Sequence, residues 1–201
     1  EGKSTVIALF ALSLASMGKR ILIIDSDLRR PYLHTQLGMD NQKGLAEYLS
    51  GEVEYQGVVR SVPESSAKII TGGTLKVNSA QLLSSSPKLK ELLDLTAEEY
   101  DYILIDAPPA LFIPDGLIIA KYVHGVVLIT SAGMIRSQVL QAVKQKFDAI
   151  SKPVIGTVIN RAEHSMDMKF RKYFKQYQNY YYSEIPKAET ETKPENKTEK
   201  Q

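Results

Sequence analysis

Gly2-Lys3-Ser4-Thr5 opens the chain with three residue types that suit a bound phosphate. A glycine lets the backbone wrap closely around an anion. A lysine neutralises phosphate oxygens, and a serine hydroxyl can sit on a magnesium ion. Gly-Lys-Ser is the end of the phosphate-loop pattern Gly-x-x-x-x-Gly-Lys-Ser/Thr. A long apolar run at helical spacing follows it directly (Val6, Leu9, Phe10, Leu12, Leu14 and Met17), with Gly18 as its stop. A helix N-terminus would therefore point its dipole and free N–H groups at the phosphate.

Three carboxylates complete the chemistry. Asp25 and Asp27 close the apolar run Ile21-Leu22-Ile23-Ile24, and Asp106 closes Tyr102-Ile103-Leu104-Ile105. Such unbroken apolar runs fit parallel strands buried on both faces. An aspartate at a strand end beside a phosphate loop serves to hold magnesium. Of two carboxylates spaced two apart, one can contact the metal while the other accepts a proton from an incoming hydroxyl.

The elements that must position these groups are legible around them. Further strands are expected at Ile69-Ile70, 126–129 and 154–159, the last ending at Asn160. Helices are expected at 44–49, at 79–95 with an interruption at Pro87, and at 139–150. Alternating helices and apolar strands predict an α/β layered fold with a mainly parallel central sheet flanked by helices. Ligands in such folds bind at the carboxyl ends of the strands. Asp25, Asp27, Asp106, Ser131 and Asn160 would gather there. A phosphate loop also needs a strand before it, so a buried strand and the start of the loop are expected ahead of Glu1.

Composition narrows the classes. The chain has 201 residues, 43% of them hydrophobic, enough for one packed domain. It lacks Cys, which excludes disulfides and thiolate metal sites, and its three His residues are scattered. A net charge of +2 gives no reason to expect nucleic acid as a partner. No signal peptide is visible, and no apolar run reaches the length of a membrane span. Three segments are read: a core over 1–165, a tyrosine-rich stretch over 166–182, and a polar tail over 183–201. The tail is expected to be disordered because it has too little apolar surface to bury.

Ile-Leu-Ile-Ile-Asp-Ser-Asp-Leu-Arg-Arg-Pro, residues 21–31, resembles the Walker A-prime segment of bacterial protein-tyrosine kinases of polysaccharide synthesis and export. Residues 1–5 look like the end of their Walker A motif. Ile103-Leu104-Ile105-Asp106-Ala107-Pro108-Pro109 looks like their Walker B, and Tyr173, Tyr177, Tyr180, Tyr181 and Tyr182 look like their C-terminal autophosphorylation cluster. The similarity runs over about residues 1–182.

The resemblance implies ATP and Mg2+ as ligands. Gly2, Lys3, Ser4, Thr5 and Asn160 would bind nucleotide, and Lys3, Asp25, Asp27 and Asp106 would be catalytic. Ser4, Asp25, Asp27 and Asp106 would surround the metal, and the five tyrosines would accept phosphate from a neighbouring subunit. It further implies a ring-like homo-oligomer on the cytoplasmic side of the bacterial plasma membrane. A membrane-anchored polysaccharide co-polymerase region would lie in the same or a partner chain. Two segments depart from the family pattern. Leu75-Lys76-Val77-Asn78-Ser79 stands where a Pro-Pro-Asn-Pro-like stretch is usual, and Thr130-Ser131-Ala132-Gly133 replaces an Arg-containing loop. Two other functions fit the same motifs: a partitioning-type ATPase switch, and a nucleotide-binding assembly module without kinase activity.

Overall fold

Seven α-helices, one short 3-10 helix (Tyr55–Gly57) and six strands follow one another along the residues that the computed structural model describes, 2–162. Residue 1 and residues 163–201 lie outside them, and with them the five candidate acceptor tyrosines and the polar tail. Helix α1 spans Lys3–Ser16 and leads into strand β1, Ile21–Asp25. Two short helices follow, α2 (Leu33–Gln36) and α3 (Leu45–Leu49), then strands β2 (Val59–Ser61) and β3 (Lys68–Ile70). Helices α4 (Ser79–Ser85) and α5 (Lys88–Glu99) precede β4 (Tyr102–Asp106). Helix α6 (Asp115–Ala120), β5 (Val126–Ser131), α7 (Ser137–Asp148) and β6 (Val154–Asn160) complete the order.

The strands form two sheets. One has the order β2-β3-β1-β4, with β2 antiparallel to β3 and the other pairs parallel. The second is the parallel pair β5-β6. The strand pairing is mainly parallel, as expected, and β2 adds an antiparallel edge that its short sequence did not announce. Pro87 breaks the helix expected at 79–95 into α4 and α5, because proline lacks the N–H that a continuing helix needs.

β1 is the centre of the fold. Its five residues are all fully buried, with β3 on one side and β4 on the other. Side chains alternate across the sheet. Leu22 and Ile24 join Ile70 in a core with Leu45, Leu49, Leu83, Leu89 and Leu92 from α3, α4 and α5. Ile21 and Ile23 join Ile69 on the opposite face, under Ala8, Ala11 and Ala15 of α1 and Leu33 of α2. Small alanines let α1 lie close to the sheet. Each fully buried Ile or Leu contributes about 1.5–3 kcal/mol. β5 packs differently: Leu128 meets Val143 and Phe147 of α7, with Ala120 of α6.

Candidate functional site

The carboxyl ends of β1 and β4 lie side by side, with Asp25 opposite Asp106 in the parallel register. Ser26 extends that pairing beyond β1. Its N–H donates to the Asp106 carbonyl at 2.8 Å and its hydroxyl donates to the same oxygen at 2.5 Å. The two acidic loops are therefore fixed to each other through the backbone.

The phosphate-loop remnant comes to the same place. Gly2 caps α1 with φ +82°, a left-handed conformation that glycine adopts without strain, and no side chain caps this helix end. A Cβ at Gly2 would collide with Asn160 Nδ2, so Asn160 closes against the loop from the end of β6. Asn160 also uses its Oδ1 to accept the Arg161 N–H at 2.8 Å. Ser4 donates its hydroxyl to Asp106. The Lys3 charge acts on both Asp27 and Asp106. Thr5 lies one step further out, where its hydroxyl accepts from Gln36 Nε2 at 2.8 Å. Gly2, Lys3 and Ser4 thus touch the ends of both sheets, with Asn160 on one side and Asp106 on the other.

The three aspartates sit in unequal surroundings. Burial pushes the Asp25 carboxyl up to about 7; the Leu33 N–H works against that and the Asp106 charge adds to it. Its Oδ2 accepts the Tyr32 and Leu33 N–H groups, each at 3.0 Å, and its Oδ1 accepts the Asp27 N–H at 3.2 Å. Burial also raises Asp27, opposed by the Arg30 N–H and by Lys3 and reinforced by Asp115. Asp27 is half-buried and stands where an incoming group could reach it. Asp106 is raised by burial as well, with the Ser4 hydroxyl and Lys3 opposing.

Among the described residues no three His, Cys, Asp or Glu side chains form a metal-holding group on their own. Asp25 directs both oxygens to backbone N–H groups of its own loop. Ser4 and Asp106 still fit magnesium in the manner of phosphate-loop proteins, where phosphate oxygens and water supply the other ligands. The uncapped α1 N-terminus and the close Gly2 backbone fit the phosphates themselves.

A fourth carboxylate joins the site that the sequence did not single out. Asp115, at the start of α6, is fully buried. Its Oδ2 accepts the Ser79 hydroxyl at 2.6 Å and lies 3.6 Å from Arg29 Nε. Its Oδ1 is buried without a hydrogen-bond partner. An unsatisfied buried acceptor costs about 1–3 kcal/mol. The favourable position of an acid in the first turn of a helix offsets only about 0.3–1 kcal/mol of that. Asp-Gly after a proline reads as a turn or helix start, so only the tertiary contacts reveal Asp115.

A phosphate loop at a helix N-terminus, with paired acidic strand ends on a parallel sheet, defines a P-loop nucleotide-binding protein. Comparisons with known proteins sharpen the class. Residues 1–154 match the family model described as an AAA domain. The chain is 31% identical over 173 residues to the tyrosine-protein kinase YwqD of Bacillus subtilis (strain 168), covering 86% of this chain and 73% of that protein. It is 35% identical over 164 residues to the tyrosine-protein kinase ptk of Acinetobacter johnsonii, covering 82% of this chain but only 22% of that protein's length. The crystal structure of the VpsO kinase domain superposes with a TM-score of 0.76 at 35% identity, covering 80% of this chain and 79% of that one. The chain belongs to the bacterial tyrosine-protein kinase family, whose catalytic domain is a variant of the P-loop ATPase fold.

Proposed function

We propose that this chain is the catalytic domain of an ATP-dependent protein-tyrosine kinase. The observation that carries the reading is the meeting of Lys3 and Ser4 with Asp27 and Asp106 at the uncapped N-terminus of α1. Gly2, Lys3, Ser4, Thr5 and Asn160 would form the nucleotide side of the site. Ser4 and Asp106 would hold magnesium, which would draw charge away from the β- and γ-phosphate oxygens. Asp27 would orient the acceptor phenol and take its proton. Its partial burial strengthens it as a base, and a phenol with a reference pKa near 10 needs that help. Asp25 would hold the loop that carries Asp27 and stand beside the metal.

The acceptors in this proposal are Tyr173, Tyr177, Tyr180, Tyr181 and Tyr182, presented by one subunit to the site of the next in a ring-like homo-oligomer. A membrane-anchored co-polymerase region, in the same or a partner chain, would hold the ring at the cytoplasmic face of the plasma membrane and couple it to polysaccharide synthesis or export. Among the described residues no helix is long and apolar enough to cross a membrane. The family membership and the named kinases among its relatives support the reading.

Incubation with γ-labelled ATP and magnesium tests it. Label on tyrosine within 173–182 is the expected result. Free phosphate without labelled protein would instead identify an ATPase switch, and neither product an assembly module. Asp27→Asn should reduce tyrosine labelling at least about a hundredfold while leaving the melting temperature near that of the parent. Labelling within twofold of the parent would remove Asp27 from the mechanism.

A further inference from the structure

Arg29 follows Asp27 by two residues on the turn after β1, and its side chain is 41% exposed. Its ion-pair partner among the described residues is Asp115, which is fully buried and arrives from a different segment, behind β4. Ser79, from the start of α4, closes the arrangement from a third direction. Three segments distant in sequence thus meet on one carboxylate oxygen, next to Asp27.

Two features make this more than packing. A buried carboxylate beside the acidic loops raises local negative charge, and Asp115 does add to the proton affinity of Asp27. Folding alone would favour a neutral residue there. The ion pair is also open at one end. Nε faces Asp115, and the accessible part of the guanidinium remains for another anion. At 3.6 Å the Arg29 Nε is oriented toward Asp115 by charge, and the planar fork of the guanidinium suits phosphoryl oxygens.

We propose that Asp115 is a positioning residue of the phosphoryl-transfer site: steadied by Ser79, it holds Arg29 so that the guanidinium meets the terminal phosphoryl group in transit. This rests on the kinase reading of the same site. During transfer the bond from the γ-phosphorus to the bridging oxygen of ADP breaks and the bond to the phenolic oxygen forms. The phenol proton passes to Asp27. Negative charge on the equatorial and leaving oxygens shifts during this step, and a preoriented cation stabilises it without reorganisation. An interaction realised in the transition state changes kcat more than KM.

A double-mutant cycle in the full-length protein tests the proposal. Arg29→Gln and Asp115→Asn should each lower kcat about tenfold, with KM for magnesium-ATP changed less than about threefold. The double variant should be about tenfold down as well, because Asp115 acts through Arg29. Ser79→Ala should cost about threefold, and Ser79→Thr should restore the rate. A double variant about a hundredfold down would overturn the idea. So would Asp115→Asn within twofold of the parent, or a raised KM at unchanged kcat. If Asp115→Asn does not fold, the cycle between Ser79→Ala and Arg29→Gln decides in the same way. Rates are read both as labelled tyrosine and as released phosphate. Phosphate release without labelled tyrosine sinks the kinase reading, while coupling between 29 and 115 in that release still upholds the positioning role. A parent protein giving neither product overturns both.

Discussion

β1 and β4 carry nearly the same message, Ile-Leu-Ile-Ile-Asp and Tyr-Ile-Leu-Ile-Asp, and run parallel in register from Ile21–Tyr102 to Asp25–Asp106. Their surroundings differ. Every residue of β1 is fully buried, whereas Tyr102 is 49% exposed and Ile103, Leu104 and Ile105 are half-buried. β1 has a strand on each side. Among the described residues β4 has a strand neighbour only in β1, and β5 only in β6. β6 carries the contrast further, with Ile155 and Ile159 at 69% and 60% exposure. An apolar run of strand length identifies a strand, but the number of neighbours sets how deeply it is buried and how much stability it contributes.

The sharpest test compares equal deletions in the two environments. Ile23→Ala in β1 should cost about 2–5 kcal/mol, because the packed surroundings cannot close over the cavity. Ile155→Ala in β6 should stay within about 0.5 kcal/mol. Urea midpoints measure both. Equal losses would mean that β6 is as well covered as β1.

The acidic ends of the two strands give a second contrast. Asp25 has a folded-state value of about 7, above the usual carboxylate range because of burial. Between about pH 4 and 7 the folded state therefore holds a proton that the unfolded chain has released. Stability from this group is present at low pH and is lost as pH rises through 7. Without nucleotide the protein should lose on the order of 2 kcal/mol between pH 5 and 8. Asp25→Asn should flatten that slope. Parallel pH curves for parent and variant would show that Asp25 stays charged throughout.

The smallest effect is expected at the start of the two strands, where Arg20 pairs with Asp101 at 2.8 Å on the surface. The Arg20 guanidinium holds the Asp101 carboxyl below its ordinary value, so any stabilisation is present above pH 4 and disappears as pH falls further. Asp101→Asn should move the melting temperature by no more than about two degrees at neutral pH. A larger drop would assign the backbone bond from Arg20 N to Asp101 Oδ2 a structural role of its own.

Local chemistry determined much of this protein. Gly2-Lys3-Ser4, the apolar runs at 21–24 and 102–105, and the aspartates that end them follow from spacing and residue type, because each depends on its immediate neighbours in the chain. The α/β class and the break at Pro87 were legible for the same reason. Tertiary structure alone decided the antiparallel edge strand β2, since a strand of three residues forms only where a partner edge such as β3 is available. It alone turned Asp25 toward the Tyr32 and Leu33 N–H groups, leaving Asp27 half-exposed, although the two residues look equivalent in sequence. It alone brought Ser79 and Asp115 to Arg29, over separations of 50 and 86 residues that no local pattern spans. Hydrogen bonds and ion pairs act over a few ångströms in space, and only the packed chain decides which distant residues come that close.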